Sequence, residues 1–374
     1  MPLNSTRRHF LRQSSLIAMA PAIPAFLRPA AHASAKNNDE RILVVVQLDG
    51  GNDGINTVVP FANDGYPQHR KELQLKTNRL AKVNDEVALH RSLRPLADLL
   101  DDVQFSIVQG VGYPNPNRSH DVSMAIWQTA RFDRDDHKSF GWLGRAMDEH
   151  REANASGAAD SVLLGTESPP VALRGRRSTS VSLAHLGDLK LRGKLTPKTP
   201  NVDPNDDLLA FARRASLDAR GTAALIDEVA GSASRDGAPY PDTQLAGRLS
   251  SIAQLIKSGF STRVYYAIQS GYDTHAGQLP SHSRLLNELG GALKAFQDDL
   301  NSAGLSDRIL TLCFSEFGRR AAENASLGTD HGTAGPVFVM GSKATPTSPT
   351  RVTKAVFCGV SGQKFPLHLL LDYF

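Results

Sequence analysis

Ile42–Gly54 reads ILVVVQLDGGNDG, and this stretch decides the fold. Every position from Ile42 to Val46 is apolar, with no alternation of polar and apolar residues. A strand exposed on one face would alternate, so this run predicts a strand covered on both faces, as in a parallel sheet flanked by helices. The run stops at Asp49 and enters a glycine-rich loop. A turn is the plain reading of Asp49 and Asp53, more so for Asp53. The functional reading is that Asp49 is held at a strand tip to grip a ligand.

Working outward, short apolar runs alternate with helix-period segments along the 374 residues. Strands are expected at Ile42–Leu48, Val103–Gln109, Ser161–Leu164, Arg263–Gln269, Ile309–Phe314, Val337–Met340 and Ala355–Cys358. Between them RSLRPLADLLDD, HDVSMAIWQTA, NDDLLAFARRA, GTAALIDEVAG, TQLAGRLSSIAQLIKSG and SRLLNELGGALKAFQDDLNSAG read as helices. This alternation predicts one α/β domain over residues 36–374, with a mostly parallel sheet sandwiched by helices. Two stretches break the rhythm and read as loop: the basic, Pro-rich excursion at 174–204 and SKATPTSPTRVTK near the end. Cys313 and Cys358 lie in apolar runs and make no disulfide framework.

Residues 1–35 read as an address. STRRHFLRQSS is followed by the apolar SLIAMAPAIPAFL and then by AHASA, with small residues at Ala33 and Ala35. Its Arg7-Arg8 pair resembles a twin-arginine export signal, which implies the export machinery as a partner and a periplasmic or extracellular location. Those residues carry four arginines and no acid. The 42 basic residues less these four leave 38, against 38 acidic ones. A neutral remainder gives no electrostatic case for nucleic acid. No apolar stretch reaches the roughly 20 residues of a membrane-spanning helix.

In an open parallel sheet, ligands bind beyond the carboxyl ends of the strands. Nearly every expected strand end here carries a polar group beside glycine. These are Asp49, Ser119 after QGVGYPNPNR, Asp273 and His275 in SGYDTHAG, and Glu316 and Arg319 in SEFGRR, while a loop just before the strand at 337–340 holds Asp330 and His331 in TDHGTAG. Carboxylates and imidazoles together suit zinc or manganese, and a carboxylate-dominated set would lean to magnesium or calcium. A serine at a helix start beside such an ion is placed to attack a phosphate or sulfate ester. Ser119 reads equally well as a plain helix N-cap, and Arg319 as an ordinary surface arginine.

VVVQLDGGNDGINTVVP, IVQGVGYPNPNRSHDVSMAIWQTA, GWLGRAMD and FSEFGRRAAENASLGTDHGTAGPVFVMG, in this order over about residues 41–342, resemble the bacterial secreted family known as domain of unknown function 1501. That family is similar in fold to the alkaline phosphatase and sulfatase superfamily. The resemblance implies a metal centre of one or two ions at the strand ends and cleavage of small-molecule or polysaccharide phosphate or sulfate esters. It implies Asp273, His275 and His331 around one ion, Asp49, Glu316 and the nucleophile Ser119 around a second, and Arg319 as substrate contact. There are three departures. Only Thr274 separates Asp273 from His275, Phe317 stands where an imidazole is expected, and the chain after residue 342 is atypical. Phe317 leaves open a second function class, a non-catalytic cell-envelope binding protein of the same fold.

Overall fold

The computed structural model describes residues 41–132, 140–150, 158–184, 186, 207–232, 239–341 and 352–354. The expected export signal, most of the basic excursion, Cys358 and the expected strand Ala355–Cys358 lie outside the described residues.

Strand β1, Ile42–Asp49, is buried from end to end except at Asp49. Leu43 and Val45 enter one apolar cluster, while Val44, Val46 and Leu48 enter another on the opposite face. This is why the run does not alternate, since both faces are covered. Each such side chain contributes about 1.5–3 kcal/mol on burial. β1 pairs in parallel with β8 (Val264–Ser270) on one side and β9 (Ile309–Ser315) on the other.

The remaining strands are β2 (Val58–Val59), β3 (Leu80–Lys82), β4 (Ala88–His90), β5 (Phe105–Val111), β6 (Ser161–Leu164), β7 (Ser180–Leu183), β10 (Arg319–Glu323), β11 (Thr329–His331), β12 (Gly335–Met340) and β13 (Val352–Lys354). The main sheet runs β13-β5-β12-β9-β1-β8-β6-β7, and β2, β3 and β4 form a separate small sheet. Every pairing in the main sheet is parallel except those of β12, which is antiparallel to both β5 and β9. The physical reason lies in the connection. After β9 the chain is spent on the β10–β11 hairpin, with no crossover helix of the kind a parallel return requires.

Helices α1 (His120–Thr129) and α2 (Trp142–His150) supply Trp127, Trp142, Leu143 and Met147 to one face of the sheet. A long helix, α3, spans Asp207–Ser232. The other face is covered by α4 (Gln244–Lys257) and α5 (Gln278–Ser302). The fold is therefore α/β, with a mixed, mostly parallel sheet between helices.

Several elements differ from the sequence reading. NDDLLAFARRA and GTAALIDEVAG join in the single helix α3, which runs through Gly221. One interior glycine costs a helix only about 1 kcal/mol. The expected exposed excursion from Arg174 begins instead with an ordered segment, for Ser180–Leu183 is the edge strand β7. Val352–Lys354, read as loop, pairs in parallel with β5.

A buried polar network underlies the β1 loop. Asp53 and Arg70 are fully buried and paired at 2.7 Å. Burial pushes the Asp53 carboxyl up, but Arg70 and Gln278 more than reverse this and hold it below its ordinary value. His282 lies 2.9 Å from the Asn52 side-chain oxygen. Burial pushes the imidazoles of His90 and His282 down to about 4. An unfolded chain takes up protons on both near pH 6.5, whereas the folded chain resists until about 4. Their contribution is thus fully present above pH 6.5 and is lost as pH falls towards 4. Melting curves recorded with a chelator present should show Tm falling through this window, with a shallower fall in His282→Gln. An unchanged slope in that variant would contradict the assignment.

Candidate metal centre

The parallel strands deliver their loops to one edge of the sheet. Two glycines make the β1 loop possible. Gly50 has φ +117°, and a Cβ there would sit 2.4 Å from the Asp273 backbone nitrogen. Gly51 has φ +76°, and a Cβ there would sit 2.3 Å from the Phe317 ring. The loop therefore passes close under the β8 loop, where the Tyr272 N–H donates to the Asp49 carbonyl at 3.1 Å.

Three imidazoles converge on one carboxylate oxygen above that crossing. Asp273 Oδ1 lies 3.5 Å from His120 Nε2, 3.1 Å from His275 Nε2 and 3.2 Å from His331 Nε2. The Nε2 atoms of His275 and His331 are 2.8 Å apart. The ligand atoms of His120, Asp273 and His331 all lie within 4.8 Å of one another.

The other ring nitrogens explain why these atoms converge. His120 Nδ1 is 2.7 Å from Glu316 Oε1. His331 Nδ1 is 2.7 Å from the Arg118 carbonyl, which can only accept. His275 Nδ1 lies 3.5 Å from Asp330 Oδ1. Each Nδ1 thus faces an oxygen acceptor, the arrangement that orients metal-ligating histidines and leaves the Nε2 lone pair free. His120 Nε2 is a buried atom with no hydrogen-bond partner. Buried polar atoms are rarely left so, and two imidazole lone pairs at 2.8 Å repel unless a proton or cation lies between them. Burial pushes the Asp273 carboxyl up, but bonds from Arg319 and His331 outweigh it and keep the group anionic. The donor set of three imidazoles and a carboxylate fits zinc, manganese or iron.

The remaining residues singled out in the sequence have other surroundings. Glu316 is buried, and its carboxylate accepts the Gly50 N–H at 3.0 Å and the Ser315 hydroxyl at 3.0 Å besides facing His120. It backs an imidazole instead of joining the ligand group. Asp49 is also outside that group. Its carboxylate accepts from Gln47 Nε2 at 3.3 Å, on the sheet face where Gln47 meets the Tyr266 hydroxyl at 2.6 Å. Arg319, expected to contact substrate, has a fully buried guanidinium bonded to backbone carbonyls and Asp273. Its donors point into the protein. Ser119 occupies the N-cap position of α1 and is exposed, and its hydroxyl caps none of the helix N–H groups. Phe317 is buried as a wall, its ring centroid 4.9 Å from that of His120 and 4.8 Å from that of His331.

His120 is the residue that the sequence reading missed. Its signal was present, since it is the first residue of α1 and directly follows Ser119 in NRSHD. His331 was expected in a loop, but it lies in β11 opposite Arg319.

Among curated proteins no match is found. Solved structures similar to this chain include the C-terminal periplasmic domain of EcEptC from Escherichia coli in complex with zinc, at 9% identity and TM-score 0.37, covering 82% of this chain and 74% of that one. A protein in the alkaline phosphatase superfamily from Vibrio parahaemolyticus is similar at 10% identity and TM-score 0.40, with 84% and 62% covered. A sulfatase from Pseudoalteromonas sp. is similar at 11% identity and TM-score 0.35, with 85% and 65% covered. Likenesses at this level say nothing about activity. The family model described as protein of unknown function DUF1501 matches residues 40–346, and the chain belongs to that family.

Proposed function

We propose that this protein is an exported, metal-dependent hydrolase of phosphate or sulfate esters. The observation that carries the reading is the convergence of three imidazole Nε2 atoms on Asp273, each ring with its Nδ1 facing an oxygen acceptor. His120, Asp273, His275 and His331 would hold the ion. A divalent ion there supplies Lewis-acid charge that stabilises an anionic ester.

The chain's own groups do the rest. Glu316 fixes the orientation of His120, and the Arg118 carbonyl fixes that of His331. The N-terminus of α1 presents unpaired N–H groups to an anion. Ser119, at that terminus and next in chain to His120, is the nucleophile in this reading. Its hydroxyl gives its proton to solvent as Oγ bonds to phosphorus or sulfur, and the bond to the ester alcohol breaks. Water then releases phosphate or sulfate and restores the hydroxyl. Export by the twin-arginine route to the periplasm or beyond belongs to the same proposal and rests on Arg7-Arg8, the apolar stretch and the small residues at Ala33 and Ala35. Among the described residues no helix is long and apolar enough to cross a membrane.

One feature supports a second reading. The apolar ring of Phe317 stands beside His120 and His331. A cell-envelope binding protein that keeps the ion without turnover would be built this way.

Ser119→Ala separates the two readings. Ester hydrolysis measured on phosphate and sulfate ester panels should be abolished in this variant, with folding and metal content unchanged. Full activity in Ser119→Ala would end the nucleophile assignment, and metal-loaded wild type inert on every ester would favour the binding protein. Glu316→Gln should weaken zinc binding roughly 10- to 100-fold, as loss of a carboxylate behind a ligating histidine does. Competition against a chromogenic chelator measures this, and an unaltered affinity would remove Glu316 from the centre.

A further inference from the structure

The guanidinium of Arg319 occupies a position built from the same atoms that hold hard cations. It is fully buried. Nε donates to the Gly51 carbonyl at 2.7 Å, and one terminal nitrogen donates to the Thr329 carbonyl at 2.8 Å. The other terminal nitrogen donates to the Gly50 carbonyl, to the Tyr272 carbonyl at 3.1 Å and to Asp273 Oδ1 at 2.6 Å. Four carbonyls, from the β1 loop, the β8 loop and strand β11, and one carboxylate oxygen thus surround one positive charge. Carbonyl and carboxylate oxygens are what calcium and magnesium take as ligands.

No second ligand set remains beside it. Both Glu316 oxygens are committed, one to the Gly50 N–H and His120 Nδ1 and the other to the Ser315 hydroxyl. Asp49 is bonded to Gln47. Phe317 fills the space between His120, His331 and the Gly51 backbone with an apolar ring. Among the described residues the ligand atoms of His120, Asp273 and His331 are in mutual reach, and His275 Nε2 faces the same Asp273 oxygen at 3.1 Å.

We infer that this centre takes a single ion, and that Arg319 is a protein-borne cation standing where a binuclear centre would hold its second. The inference rests on the metal-centre reading above and narrows it. Asp273 touches the guanidinium with the same oxygen on which the three imidazoles converge, so it would face both charges. A permanent monocation costs no metal and cannot be stripped by a chelator. A guanidinium also has donors in a fixed plane, so it sets the spacing of the loops it joins.

The test is a count. The metal-stripped full chain is titrated with zinc by calorimetry, and the ions retained after exhaustive dialysis are counted by elemental analysis, for wild type and for Asp273→Ala. One tightly held ion per wild-type chain, lost in Asp273→Ala, is the expected result. Two ions, both lost in that variant, would overturn the single-ion inference and leave the metal centre standing. No retained ion would overturn both. A second arm uses Arg319→Gln, which removes the internal charge. Millimolar calcium should raise the Tm of this variant by more than it raises that of the wild type. Equal shifts in a folded variant would show that Arg319 does not stand in a cation's place. Should the variant fail to fold, the wild-type count decides.

Discussion

The Arg319 guanidinium donates to backbone carbonyls of Gly50, Gly51, Tyr272 and Thr329 and to the Asp273 carboxylate, and the loops that bear the candidate ligands are held in register by those bonds. Removing it would take away the donor that the Gly50, Gly51 and Thr329 carbonyls share with Asp273. The geometry of the sheet edge therefore depends on a residue that touches no solvent. Gly50 and Gly51 are its counterpart in the backbone, since only residues without a Cβ let the β1 loop run this close to Tyr272, Asp273 and Phe317.

A second polar network repeats the arrangement one layer deeper. The side-chain oxygen of Gln278 accepts from Thr274 at 3.1 Å and from Thr329 at 2.6 Å. Thr274 lies between Asp273 and His275, and Thr329 lies two residues before His331. The Gln278 amide nitrogen in turn donates to Asp53, whose partner Arg70 also bonds the carbonyls of Arg320 and Ala321 in β10. Such fully satisfied networks rigidify a core and specify one arrangement of it. Here they tie the loop after β8 to β11, and so bring Asp273 and His275 beside His331.

The chemistry open to the edge follows from this placement. Three imidazoles with their Nδ1 atoms facing oxygens converge on one carboxylate oxygen, and the start of α1 brings Ser119 next to His120 in the chain. Phe317 and Arg319 close the other sides, one apolar and one cationic.

Much of the fold was legible in the residues themselves. The unbroken apolar run of β1 determined a strand buried on both faces, because only a doubly covered sheet accepts such a run without alternation. Helix-period segments determined most of α1, α4 and α5 in the same way. Asp273 and His275 stood out because they follow a strand beside glycines, and His331 because it precedes one beside Gly332. β7, β10, β11 and β13 were not legible, since none of them holds three apolar residues in succession as β6 does. The surroundings of Asp49, Glu316, Arg319 and His120 were decided by tertiary structure alone. Side chains of a strand alternate in direction, so a strand-tip carboxylate such as Asp49 can turn to Gln47 as readily as to a neighbouring loop. His120 joins Asp273 and His331 only because the sheet order brings the ends of β5, β9, β1 and β8 to one edge, and no local spacing encodes that order.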